Sequence, residues 1–218
     1  MKIITIATQK GGAGKTTLAT NLATASAKAG HLTLIIDADS QKTALDWFNK
    51  RDNQENPLVI AAENQEKLQN LLNLAEQKGI ERIFIDTQGA AAELVNFAML
   101  KADFSLLPCS AGGFDVGAQR TTAAALLQLK KQGAFVITKA TTRGQELAET
   151  RAILHGLGLP ISEHKTTFLK AYKDAAVFNS SVIELEPNGK AAAEITKLFE
   201  WLEIKLKKNP LLDQLQQG

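Results

Sequence analysis

Gln9-Lys10-Gly11-Gly12-Ala13-Gly14-Lys15-Thr16-Thr17 is the stretch on which the reading of this chain turns. Before it stands the β-branched run Ile3-Ile4-Thr5-Ile6-Ala7, which reads as a short buried strand. After it, Lys15 to Ala29 is rich in Ala, Thr and Leu and is closed by Gly30, the pattern of a helix with a glycine C-cap. A glycine-rich loop between a strand and a helix is where phosphate chemistry needs it. The glycines let the backbone turn its N–H groups inward around an anion, and the helix that follows presents further N–H groups and a positive dipole end. Lys15 adds a charge for β- and γ-phosphates, and Thr16 adds a hydroxyl for Mg2+. A plain glycine turn before a helix has no need of Lys-Thr at the helix start.

Outward from the loop, strands and helices alternate. Strands are expected at Leu32 to Ile36, Ile83 to Ile85, Phe104 to Leu107, Phe135 to Ile137 and, as a short one, Leu159 to Ile161. Helices are expected over Asn64 to Lys78, Val116 to Lys131 and Glu146 to Leu154. A long amphipathic C-terminal helix is expected from Gly189 through Leu206. Continuous apolar strands between helices predict an α/β fold, doubly wound, with a mostly parallel sheet covered by helices on both faces. Two strands end in acids, Asp37-Ala38-Asp39 and Asp86-Thr87. Ligands in open α/β sheets bind at that edge, where a carboxylate can hold Mg2+ or orient water.

Composition narrows the class. In 218 residues, 44% are hydrophobic and 22% charged, which fits a folded globular chain and not a disordered one. Apolar runs such as Phe104 to Pro108 fall far short of the roughly 20 residues of a membrane span, and the N-terminus lacks the pattern of a secretory signal. One cysteine, Cys109, excludes an internal disulfide and a four-cysteine metal site; three histidines argue against a histidine metal centre. Cys109 and the aromatic residues Trp47, Tyr172 and Trp201 are expected as packing groups. Net charge is +2, with the basic excess in residues 109–218, where 14 Lys+Arg face 11 Asp+Glu. One domain over residues 1–208 and a frayed tail over 209–218 are expected, in a cytoplasmic protein.

Lys10-Gly11-Gly12-Ala13-Gly14-Lys15-Thr16 resembles the deviant Walker A motif of ParA/MinD-type ATPases, a P-loop variant in which Gln9 stands where the ordinary pattern has glycine. Asp37-Ala38-Asp39-Ser40-Gln41 resembles that family's Asp-x-Asp-Pro-Gln segment, and Ile83-Phe84-Ile85-Asp86-Thr87 its Walker B strand. The resemblance implies ATP/ADP and Mg2+ as cofactors. It implies that Lys10 reaches across an ATP-sandwich homodimer to the partner's nucleotide, and that Gly11, Gly12, Ala13, Gly14 and Lys15 hold the phosphates with Thr17 beside the α-phosphate. It gives Thr16 and Asp86 to Mg2+ with Asp37 near the metal, and gives Asp39 the positioning of water for slow, partner-stimulated hydrolysis.

Family members of the partition type bind DNA without sequence preference as ATP dimers, are nucleoid-associated and answer to an adaptor or centromere-binding partner protein. Candidates here for DNA contact are Lys139, Arg143, Arg151, Lys165, Lys170 and Lys173. Ser40 departs from the family's proline; Asp86-Thr87-Gln88-Gly89, with the small-residue and Glu run Ala90 to Glu93 behind it, resembles the shorter ParA-like proteins of plasmids and conjugative or T-DNA transfer systems. The loop begins at residue 9, so an operator-binding extension is not expected, and Pro210 interrupts the end, which argues against a MinD-like membrane helix. The alternative is a MinD/ParA-like ATPase that positions a protein, membrane or conjugative-transfer complex. A nitrogenase iron-protein role would need more cysteines; a P-loop ligase of the dethiobiotin or cobyrinate synthetase kind also stays open.

Overall fold

The computed structural model describes residues 1–52, 54–88, 92–111, 116–141 and 144–207, the side chains of 144 and 145 apart. The chain runs β1 (Lys2–Ile6), α1 (Lys15–Lys28), β2 (Thr33–Ala38), α2 (Thr43–Asn49), β3 (Leu58–Ala61), α3 (Gln65–Gln77), β4 (Arg82–Thr87) and α4 (Ala92–Lys101). It continues through β5 (Phe104–Ser110), α5 (Val116–Gln128), β6 (Gly133–Thr138), α6 (Gly144–His155), α7 (Lys170–Val177), α8 (Val182–Leu185) and α9 (Lys190–Lys207). The six strands form one parallel sheet in the order β3-β2-β4-β1-β5-β6. The winding parts at β1, with β2, β3 and β4 on one side of it and β5 and β6 on the other. That is the topological switch at which an open α/β sheet leaves a crevice beyond its strand ends.

Side chains alternate across the sheet and fill a core on each face. Ile4, Ile6, Ile35, Phe84 and Val136 pack with α1, α8 and α9 through Leu18, Leu22, Val182, Ile195 and Leu202. Their neighbours Leu34, Ile36, Ile83 and Ile85 point the other way, onto Leu68 and Leu72 of α3 and Ala98 of α4. Phe135, Ile137 and Leu107 meet α5 and α6 through Leu126 and Leu154. Trp47 and Trp201 lie in the first of these cores and Cys109 in another, as packing groups. A two-pronged ion pair, Arg82 Nε and Nη2 to Glu203 at 2.8 Å each, fastens α9 to the start of β4. The buried Thr5 hydroxyl donates to the Ala98 carbonyl (2.9 Å) and fastens α4 to β1.

Several elements escape the sequence pattern. β3 is an edge strand of four residues, and α2 has seven residues and no side-chain cap. Neither is long enough to show a period. α4, α7 and the single turn α8 are likewise beyond what the sequence pattern predicts. The strand expected at Leu159 to Ile161 is a lone bridge, Ile161 to Phe135, because the sheet ends at β6 and Pro160 has no N–H to donate. The helix expected to reach Lys131 stops at Gln128, and Lys130 turns left-handed (φ 52°). The boundary expected at residues 208/209, with its tail, lies outside the described residues.

Gly133 opens β6 where the backbone of β5 is closest. A Cβ there would come within 2.5 Å of Leu126 Cδ2 and 2.6 Å of the Ser105 carbonyl. Gly133→Ala is expected to destabilise the fold by about 1–3 kcal/mol through overpacking. Urea unfolding of the two proteins checks this; an unchanged midpoint would contradict the packing described.

Candidate functional site

Between β1 and α1 the loop turns through two left-handed glycines, Gly12 (φ 76°) and Gly14 (φ 89°), and Gly14 is the N-cap of α1. Side chains other than glycine rarely adopt these angles, and a loop that turns its N–H groups inward needs them. Its carbonyls are fastened from outside. Thr138 Oγ1 donates to the Ala13 carbonyl (2.8 Å) and Lys139 Nζ to the Gly12 carbonyl (2.7 Å), both from the end of β6. Thr8 Oγ1 accepts from Gln119 Nε2 (3.1 Å), which ties the loop's entry to α5. Lys15 is buried, its Nζ donating to the Lys10 carbonyl at 3.1 Å. Burial lowers its pKa, against the opposing pull of the Asp86 and Asp39 charges.

The three aspartates sit at the same edge but are not equivalent. β2 and β4 pair with Asp37 beside Asp86. Asp37 is buried with both oxygens engaged, accepting from the Asp39 N–H (3.1 Å) and the Leu45 N–H (2.9 Å). It organises the turn from β2 into α2, and burial raises its pKa. Asp39 is half-buried and accepts from the Gln41 N–H at 2.9 Å. Asp86 is fully buried, and neither of its oxygens has a hydrogen-bond partner among the described residues. Burial pushes its pKa up to about 7, against the Thr16 hydroxyl and the Lys15 charge. An orphaned buried carboxylate next to a threonine hydroxyl and a phosphate-type loop suits Mg2+, which keeps waters and phosphate oxygens and takes few protein ligands. No group of three His, Cys, Asp or Glu that could hold a metal alone occurs among the described residues, and Mg2+ on a phosphate needs none.

Of the residues expected to touch DNA, Lys139 lies on the loop itself. Lys139, Lys170 and Lys173 border one cavity of about 680 Å3, together with Gly14, Thr17 and the exposed Phe168. Arg151 is elsewhere, its Nη2 3.5 Å from the Ser162 carbonyl. Lys165 is half-buried and does not line that cavity, and Arg143 is outside the described residues. The sequence pattern misses the clamp of Thr138 and Gln119 and the apolar wall of Phe168 and Leu169. The one available signal is that Thr138-Lys139 closes a strand, at the same sheet edge as the loop.

A family model described as the CobQ/CobB/MinD/ParA nucleotide binding domain matches residues 4–212. The chain belongs to this family. It is 26% identical over 200 residues to the maintenance of carboxysome distribution protein A of Halothiobacillus neapolitanus, covering 88% of this chain and 91% of that one. It is 30% identical over 196 residues to the protein of the same name from Gloeobacter kilaueensis, 88% of each. It is 26% identical over 198 residues to protein virC1 of Rhizobium rhizogenes, 85% of this chain and 86% of that one. Among solved structures, the fold is shared with a chain of the MinC:MinD cell division protein complex of Aquifex aeolicus (TM-score 0.77, 19% identity, 96% and 98% of the two chains). It is also shared with apo McdA of Cyanothece (TM-score 0.76, 18% identity, 94% and 99%). The loop and the sheet edge described above lie within the residues matched by this nucleotide binding domain.

Asp86→Asn is expected to stabilise the nucleotide-free protein by about 1–3 kcal/mol at neutral pH, because it removes a charge whose burial costs more than the Thr16 hydroxyl and the Lys15 charge return. The sign follows from a pKa raised in the folded state. The wild-type carboxyl carries no penalty below its unfolded pKa of about 4, loses stability as pH rises, and levels off above about 7. The mutant's advantage is therefore greatest at pH 8 and absent near pH 4, in thermal melts without magnesium or nucleotide. A mutant less stable than wild type at pH 8 would contradict it.

Proposed function

We propose that the chain is an ATP-driven switch of the partition type. ATP binding builds a homodimer with two nucleotides sandwiched between the protomers. The dimer holds DNA without sequence preference, and a partner protein carried by the cargo triggers hydrolysis and release. The observation that supports this most is the loop: left-handed Gly12 and Gly14 at the start of α1, with Lys15 buried behind them and Lys10 at the loop's mouth.

In this reading the N–H groups of Gly11 to Gly14 and the Lys15 ammonium hold the β- and γ-phosphates, and Thr17 lies beside the α-phosphate. The cavity walled by Phe168 and Leu169 takes the base. Thr16 and Asp86 are the residues that would hold a magnesium ion, which when bound neutralises charge on the phosphate oxygens. Asp37 keeps the turn in place. Asp39, held by the Gln41 N–H, orients the attacking water. Lys10 acts on the partner's nucleotide. A cation supplied in trans is worth about 10³–10⁵ in rate in comparable phosphoryl transfers, so an isolated protomer hydrolyses slowly and ATP works as a dimerisation signal.

A second reading has a protein assembly as cargo. Two relatives named for carboxysome distribution favour it, and the nucleotide chemistry is the same. No helix among the described residues is long and apolar enough to cross a membrane.

DNA retention with ATP, ADP and no nucleotide tests the proposal. Binding is expected with ATP alone, falling steeply as salt rises. Lys15→Ala is expected to lose ATP binding by at least tenfold in a fluorescent-nucleotide titration. Lys10→Ala is expected to keep it while losing ATP-dependent dimers in light scattering, and DNA binding with them. ATP-dependent dimers that hold no DNA at any salt would move the assignment to a protein cargo, and Lys15→Ala binding ATP normally would remove the nucleotide assignment altogether.

A further inference from the structure

Glu194, on the second turn of α9, is half-buried and accepts three hydrogen bonds. Its Oε2 takes the Thr167 N–H (2.9 Å) and the Tyr172 hydroxyl (3.1 Å), and its Oε1 takes the Thr167 hydroxyl (2.7 Å). Burial and the Glu194 charge raise the Tyr172 pKa, so its hydroxyl keeps the proton that it donates. Three donors from two elements thus converge on one carboxylate, in bonds stronger than those to a neutral acceptor.

What Glu194 holds is the segment 166–169, laid alongside the end of β6. Thr166 N–H donates to the Ile137 carbonyl (3.0 Å), Ala140 N–H to the Thr166 carbonyl (2.9 Å) and Phe168 N–H to the Ala140 carbonyl (3.0 Å). The same end of β6 carries Thr138 and Lys139, the donors to the loop carbonyls. In extended backbone, neighbouring side chains leave on opposite sides. With the Thr167 hydroxyl turned to Glu194, Phe168 borders the cavity of about 680 Å3 that Gly14 and Thr17 of the loop also line. Phe168 is 77% exposed. A lone exposed phenylalanine is ordinary on a protein surface. This one differs in its support. Its own N–H and those of Thr167 and Leu169 are all engaged, so an uncovered ring stands on fixed backbone at the rim of a small-molecule-sized hollow.

We propose that Glu194 is a positioning residue for the nucleoside half of the site. It fixes the 166–169 wall so that the Phe168 ring meets the face of the base. The inference rests on the nucleotide reading above, in which this cavity takes the base. A phenyl ring offers a π-face and no hydrogen bond, so its contact with a base is stacking, worth roughly 5- to 150-fold in affinity by alanine substitution. A wall ordered before the nucleotide arrives loses less entropy on binding. Glu194 does not line the cavity and acts through Thr167 and Phe168. Its influence therefore falls on affinity for the nucleoside and not on the loop's hold on phosphates.

The test is isothermal titration of the full chain, in magnesium buffer, with ATP and with inorganic tripolyphosphate. Phe168→Ala and Glu194→Leu are each expected to weaken ATP binding at least fivefold and to leave tripolyphosphate within about twofold of wild type. The double variant should lose no more than Phe168→Ala alone, because the two residues serve one contact. Phe168→Tyr keeps a ring and should bind ATP as wild type does. Glu194→Gln should recover most of the loss. Its amide oxygen accepts from the Thr167 N–H, and its NH2 donates to the Thr167 hydroxyl, which serves as donor or acceptor.

Unchanged ATP affinity in Phe168→Ala would overturn the stacking and leave the nucleotide reading standing; if that variant also lost ATP-dependent dimers, the ring would be reassigned to the contact between protomers. Equal loss of ATP and tripolyphosphate in Glu194→Leu, or additive losses in the double variant, would overturn the positioning role by showing general damage to the fold. A wild-type chain that binds tripolyphosphate as tightly as ATP would overturn the base contact. One that binds neither would remove the nucleotide reading itself.

Discussion

The hydrogen bonds from Thr138 to the Ala13 carbonyl and from Lys139 to the Gly12 carbonyl are the constraint around which the site is arranged. A loop that gathers its N–H groups inward for an anion turns its carbonyls outward, and those carbonyls need donors. β6 supplies them from across the sheet, although it lies more than a hundred residues further along the chain. That requirement fixes why β6 must pair with β5, and β5 with β1, in parallel and in register. It also explains why the loop keeps its shape although Gly12 and Gly14 have no side chains with which to hold it.

The sheet edge then concentrates charge. Parallel pairing of β2 with β4 puts Asp37 beside Asp86, and the loop brings Lys15 within reach of both Asp86 and Asp39. Burial works against all of the buried charges, raising the aspartates and lowering the lysine. Asp37 is compensated by backbone N–H groups and Lys15 by a carbonyl and its acidic neighbours. Asp86 has the Lys15 charge and the Thr16 hydroxyl near it, but these do not offset its burial, and a carboxylate left in that state suits a cation brought in with phosphates. At the other end of the sheet one hollow is lined, among the described residues, by six lysines and one aspartate. Because every strand runs the same way, helix starts and strand ends gather at one pole and helix ends at the other. That the loop and the three aspartates lie at one pole and the lysine-lined hollow at the other is thus a consequence of parallel topology.

Much of this was legible in the chain itself. The loop Lys10 to Thr17, the carboxylates at Asp37, Asp39 and Asp86, and the alternation of apolar strands with helices are local patterns, because φ preference, helix capping and burial on both faces of a sheet act over a few residues. They determined the fold class and the family of nucleotide-binding domain. Short elements such as α2 and β3 were not legible, since four to seven residues carry too little periodicity; their form is imposed by the neighbours they cover. Nor could the different states of three similar aspartates be read, nor the position of Lys139 on the loop, nor the gathering of Lys2, Lys101, Lys130, Lys131, Lys205 and Lys207 from distant parts of the sequence. Which carboxylate is left without a partner, and which lysines share a hollow, depend on strand order and register. Those are set by long-range packing, and only the tertiary structure decides them.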